Sequence, residues 1–138
     1  MSAPTPGGTR TTTLRVLVYS GEPGACDKAH EALAREGFDV DVTANSTSLY
    51  RVIQGEAPPY DVLVADCGWR GIPAESFARH MRTRLPEVAL ALAAPDFDPR
   101  RTPCDAWIQT PYGPEALVDV VRAAARAARE RRRRETRG

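Results

Sequence analysis

A chain of 138 residues suffices for one domain that buries roughly two-thirds of its unfolded surface, and its 42% hydrophobic and 27% charged residues are ordinary globular usage, which excludes wholesale disorder. The longest near-apolar stretch, Val88 to Pro95, falls far short of the ~18 residues of a membrane span, and residues 1–13 hold no apolar signal core. Cys26, Cys67 and Cys104 are odd in number and widely spaced, which fits reduced thiols in a cytoplasmic protein and neither a disulfide frame nor a zinc site. The net charge of +1 conceals an asymmetry: eight arginines and two glutamates leave residues 122–138 at +6, so the first 121 residues carry −5. Lys28 is the only lysine.

Residues 1–13 read as a flexible leader of turn formers. Leu14 to Tyr19 is a β-branched run that predicts a buried strand, ended by Ser20-Gly21-Glu22-Pro23. From Gly24 to Glu36 the residues Ala25, Ala29, Ala32 and Leu33 recur at helical spacing, with Gly37 as the stop. Phe38 to Val42 alternates with period two, as a half-exposed strand does. Asn45-Ser46 caps a short helix that Gly55 closes. Asp61 to Asp66 predicts a second buried strand, Pro73 opens a helix to about Arg84, Val88 to Ala93 is a third buried strand, and Ala106 to Gln109 a shorter one. Pro114 opens a last helix whose apolar stripe is Leu117, Val121, Ala124 or Ala125, and Ala128. Apolar strands alternating with helices predict a parallel sheet covered on both faces, with its ligand site at the carboxyl ends of the strands.

Those strand ends carry LRVLVYSGEP, YDVLVAD, EVALALAAP and WIQTPYGPEAL, in that order. Over residues 14–128 the chain thereby resembles the receiver domain of bacterial two-component response regulators. The resemblance implies an α/β flavodoxin-like fold, a five-stranded parallel sheet of order 2-1-3-4-5 with helices on both faces. It also implies a phosphoacceptor aspartate at Asp66, Mg²⁺ held by an acidic pair after the first strand, a hydroxyl after the fourth and a lysine after the fifth. Here the acidic pair maps to Ser20 and Gly21 with Glu22 nearby, the hydroxyl to Ala93 and the lysine to Thr110, while Lys28 lies in the first helix. An aspartate attacking a phosphoryl group needs cations beside it, so Asp66 is expected to be inactive. Only Glu22 and Asp66 are left to offer a weak metal site. The resemblance further implies a cis bond before Pro111 and a switch aromatic at Trp107, which above Ala93 is expected to pack statically. Between Ala93 and Thr110, Pro95, Pro99 and Pro103 break helices, so the helix that receivers place there is expected to be shortened or lost.

His30 and His80 have no ligand spacing, and Cys67 reads as a packed cysteine, although Arg70 lies near it in sequence. Trp69 and Tyr112 fall on loops at the strand-end side. Residues 129–138 form an Arg-rich helical extension, read as a solvated, fraying end. The expectation is a stand-alone pseudo-receiver in the cytoplasm, without enzymatic activity or cofactor. It would bind a protein partner through Phe97, Arg100 and Arg101, with the tail arginines steering an acidic partner and homodimerisation left open. Two alternatives stand beside it. One is a phospho-accepting regulator using Asp66 with Mg²⁺. The weaker one is nucleic-acid association through the tail, which lacks any accompanying recognition motif.

Overall fold

The computed structural model describes residues 13–55, 59–67, 73–96, 98 and 100–137. Five strands, β1 (Arg15–Tyr19), β2 (Asp39–Thr43), β3 (Val62–Asp66), β4 (Ala89–Ala94) and β5 (Ala106–Gln109), form one parallel sheet of order β2-β1-β3-β4-β5. The helices are α1 (Pro23–Arg35), α2 (Ser46–Ile53), α3 (Ala74–Arg84) and α4 (Pro114–Arg137). This is the flavodoxin-like arrangement expected from the resemblance. Among the described residues no helix joins β4 to β5. In the described part of this connection the Arg100 N–H donates to Asp98 Oδ1 at 3.0 Å.

Strand alternation divides the core in two. On one face Val16, Val18, Val62, Val64, Ala89 and Ala91 meet α1 and α4, which bring Ala29, Leu33, Leu117, Val121, Ala124 and Ala128. On the other, Leu17, Leu63, Leu90 and Leu92 meet Leu49 and Ile53 of α2 and Phe77, Ala78 and Met81 of α3. Each large side chain so buried stabilises the fold by about 1.5–3 kcal/mol. β4 is buried along its whole length, as a central strand flanked by helices requires.

The helix ends follow local chemistry. Asn45 Oδ1 accepts from the backbone N–H groups of Thr47 at 2.7 Å and Ser48 at 3.4 Å, starting α2. Gly37 and Gly55 end α1 and α2 with φ of +92° and +81°, a left-handed backbone that side chains with a Cβ resist. No described helix is long and apolar enough to cross a membrane.

The last helix corrects the reading of the arginine tail as a solvated, fraying end. Arg131, in that extension, reaches back to the body, with Nε 3.1 Å from Asp105 Oδ1, Nη2 3.2 Å from Asp105 Oδ2 and Nη1 2.6 Å from the Pro86 carbonyl. Arg82 of α3 meets the same carboxylate at 2.8 Å, and the Leu90 backbone N–H donates to it at 2.8 Å. Arg132 donates to the Glu87 carbonyl at 2.9 Å. The side chain of Asp105 is only 4% exposed. Burial alone would raise its pKa, but the hydrogen bonds from Arg131, Arg82 and Leu90 outweigh that and hold it below the ordinary carboxylate value. One aspartate thus clips a helix from each face of the sheet to its amino edge.

Candidate functional site

The carboxyl ends of β1, β3, β4 and β5 converge, as the parallel topology demands, and Asp66 closes β3 there, half-buried. Ser20, directly after β1 and fully buried, donates its hydroxyl to Asp66 Oδ2 at 3.1 Å and accepts from the Glu22 backbone N–H at 3.2 Å. Burial raises the pKa of Asp66. The Ser20 hydrogen bond opposes the rise, and the negative charge of Glu22 adds to it. No ion pair reaches Asp66 among the described residues. Ala93 is buried beside it in register, and Thr110 follows β5 half-buried.

The Thr110–Pro111 bond is cis. The turn that contains it brings Tyr112 to the site. Burial, with the charge of Asp66, pushes this phenol up to about 12. A groove of about 930 Å³ opens between α1 and this turn, and Glu22, Lys28, Asp66, Thr110, Pro111 and Tyr112 are among its lining residues. Lys28 was set aside in the sequence because it lies in the first helix, yet α1 brings it to the wall of the groove on which Asp66 opens.

A hard divalent cation wants several oxygen ligands in near-octahedral order. Asp66 and Glu22 provide two carboxylates, the Ser20 hydroxyl is already engaged, and no group of three or more metal-ligating side chains exists among the described residues.

Other expected residues fall elsewhere. Trp107 does not lie over Ala93. The β4–β5 register pairs Leu92 with Trp107 and Ala93 with Ile108, so strand alternation turns Trp107 to the opposite face, where it is 42% exposed. Cys67 is fully buried, and burial pushes its thiol up to about 12, which leaves it unreactive. His30 and His80 are exposed on separate helices, His80 lying 6.4 Å from the Tyr50 ring. Arg100 and Arg101 are exposed on the β4–β5 connection, Arg100 3.5 Å from Asp98 and Arg101 3.5 Å from Glu75 of α3. Phe97, Trp69 and Arg70 lie outside the described residues.

Two residues of consequence went unrecognised in the sequence. Asp105 and Arg82 carry no motif, and the only available signal was an acidic residue just before a short strand. A five-stranded parallel sheet of order 2-1-3-4-5 defines the flavodoxin-like class of fold, and solved receiver domains share it. The chain is similar to a CheY-like response regulator receiver domain from Methanospirillum hungatei, at 13% identity over 87% of this chain and 99% of that one, with a TM-score of 0.73. It is likewise similar to the chemotaxis response regulator CheY4 of Vibrio cholerae (15% identity, 82% and 99% covered, TM-score 0.67). A third is the receiver domain of the hybrid histidine kinase CckA (18% identity, 80% and 98% covered, TM-score 0.63). No family model and no curated protein matches the sequence. The protein has the receiver fold.

Proposed function

We propose that this protein is a pseudo-receiver, a signalling or regulatory domain that acts by binding another protein and not by accepting a phosphoryl group. The single observation behind this reading is the state of Asp66. Its carboxylate is satisfied by a neutral hydroxyl, Ser20 Oγ at 3.1 Å, where phosphoryl transfer needs a cation. Attack on a phosphoryl donor would gather negative charge beside Asp66 and Glu22, and neither carboxylate forms an ion pair among the described residues. On this reading the domain is a binding protein, with neither enzymatic activity nor a resident cofactor.

The alternative, a phospho-accepting regulator, has one observation in its favour: Lys28 lines the groove onto which Asp66 opens. Incubation with acetyl phosphate and Mg²⁺, followed by intact-mass measurement, separates the two readings. No adduct is expected. An added phosphoryl mass that disappears in Asp66→Asn overturns the pseudo-receiver reading, and its further loss in Lys28→Ala would assign the lysine's part in it.

A further inference from the structure

The amino edge of the sheet, opposite the Asp66 site, carries a second groove, of about 610 Å³, between residues 84–89 and residues 125–132 of α4. Its size falls in the ~300–1,000 Å³ range of pockets that hold ligands. The floor is aliphatic, with Leu14, Leu85, Val88, Ala125 and Ala128, and the rim carries Arg84, Arg129 and Arg132. Arg84 and Arg129 are exposed and make no ion pair or hydrogen bond with any described residue. We propose that this groove docks an acidic segment of a partner protein, apolar side chains entering the floor and carboxylates meeting Arg84 and Arg129.

Preorganisation supports the assignment. Arg131 ties α4 to Asp105 and to the Pro86 carbonyl, and Arg132 ties it to the Glu87 carbonyl, so both walls are fixed before any partner arrives. Cations held on a clipped helix lose little freedom on binding, unlike cations on a loose tail. The sign also favours an anion: the lining carries three guanidinium groups, Arg84, Arg129 and Arg132, against two carboxylates, Asp61 and Glu87, and Asp61 is turned to the Arg15 backbone N–H at 2.8 Å.

Other occupants fit less well. Bases of a single strand need aromatic faces to stack on. Tyr60 is the one aromatic in the lining, its hydroxyl donates to Asp41 at 2.6 Å, and the Arg15 guanidinium covers its ring at 4.9 Å. The chain's own residues 1–12 hold one charged side chain, Arg10, and no carboxylate, so they offer Arg84 and Arg129 nothing to pair with.

This inference rests on the reading of the protein as a protein-binding module, whose phosphodonor test is independent of it. The test uses the full chain and a labelled synthetic peptide in which leucines recur at helical spacing among glutamates, followed by fluorescence anisotropy. A control peptide carries serine at each leucine. Saturable binding of the leucine peptide is expected, with the serine peptide at least about tenfold weaker. Arg84→Glu or Arg129→Glu is each expected to lower affinity about tenfold, on the scale of a buried arginine contact. Arg126→Glu makes the same charge change on an exposed α4 residue outside the groove and is expected to cost about twofold or less, as a rim charge does. Equal losses at Arg126 and Arg129 would overturn the proposal in favour of diffuse attraction. So would tighter binding of duplex DNA than of the peptide. Concentration-dependent self-association that Arg129→Glu abolishes, without peptide binding, would make a second copy the occupant and likewise overturn it.

Discussion

Two aspartates mark the two ends of this sheet, and they live in opposite electrostatic worlds. Asp66, at the carboxyl end of β3, has a hydroxyl for a partner and a carboxylate for a neighbour, and its pKa is raised by burial. Asp105, just before β5, is almost fully buried, yet Arg131, Arg82 and a backbone N–H hold its pKa down. Burial pushes both carboxyls the same way, so the difference lies entirely in the company each keeps. Arginines meet the carboxylate at the second end and tie elements together there, while no ion pair reaches the carboxylate at the first among the described residues.

The largest effect that would break this comparison comes from Asp105. Asp105→Ala leaves two arginines, each about one-fifth exposed, without their anion, and is expected to destabilise the protein by about 3 kcal/mol in urea unfolding followed by circular dichroism. A loss below about 1 kcal/mol would mean that the clip is ornamental. Truncation after Ala128 removes Arg131 and Arg132 with their contacts to Asp105, Pro86 and Glu87, and is expected to cost about 2 kcal/mol. The reading of the tail as a solvated end predicts no loss at all, so the same denaturation curve decides between them.

Acid should weaken the clip in a defined direction. Because the Asp105 pKa is lower in the folded chain than in the unfolded one, its stabilisation is present above the unfolded carboxylate value. It is then lost as pH falls through the folded value. Stability measured from pH 7 downward should therefore drop more steeply in the wild type than in Asp105→Asn. The smallest effect is at the other end and has the opposite sign. Asp66 has a raised folded pKa, so its ionisation opposes folding at neutral pH and this cost fades as pH falls through that pKa. Asp66→Asn is expected to unfold at an equal or higher urea concentration at pH 7, by less than about 1 kcal/mol, with the gain vanishing at acid pH. A clear loss of stability at pH 7 would show that Asp66 is a structural anchor like Asp105.

Local signals decided most of the fold in advance. Val16 to Tyr19, Val62 to Ala65 and Ala89 to Ala94 announce buried strands through continuous apolar runs, and Asn45, Gly37, Gly55 and Pro114 punctuate the helices through chemistry that acts within a few residues. Element order then leads to the parallel sheet, and three prolines after β4 already speak against a helix there. The candidate site was legible as a set of positions, Ser20, Glu22, Asp66 and Thr110, because strand ends in a parallel sheet must converge.

What the sequence could not decide is which distant groups meet. Ser20 and Asp66 lie 46 positions apart, and only the β1–β3 pairing brings that hydroxyl to that carboxylate. Lys28 reads as a helical surface residue until α1 packs beside the β5–α4 turn and makes it a wall of the groove. Trp107 was expected to pack over Ala93, but the β4–β5 pairing sets it beside Leu92, and neighbouring residues of a strand point to opposite faces. The arginine run looks solvated by composition, since nothing local distinguishes Arg131 from its neighbours. Its role is fixed by the angle at which α4 crosses the sheet, which carries it to Asp105 and leaves Arg133 and Arg134 exposed. Periodicity acts over a turn of helix or a pair of strand residues and can be read from the chain. Pairing of polar groups across 20 to 50 positions depends on where whole elements end in space, and that is settled by packing.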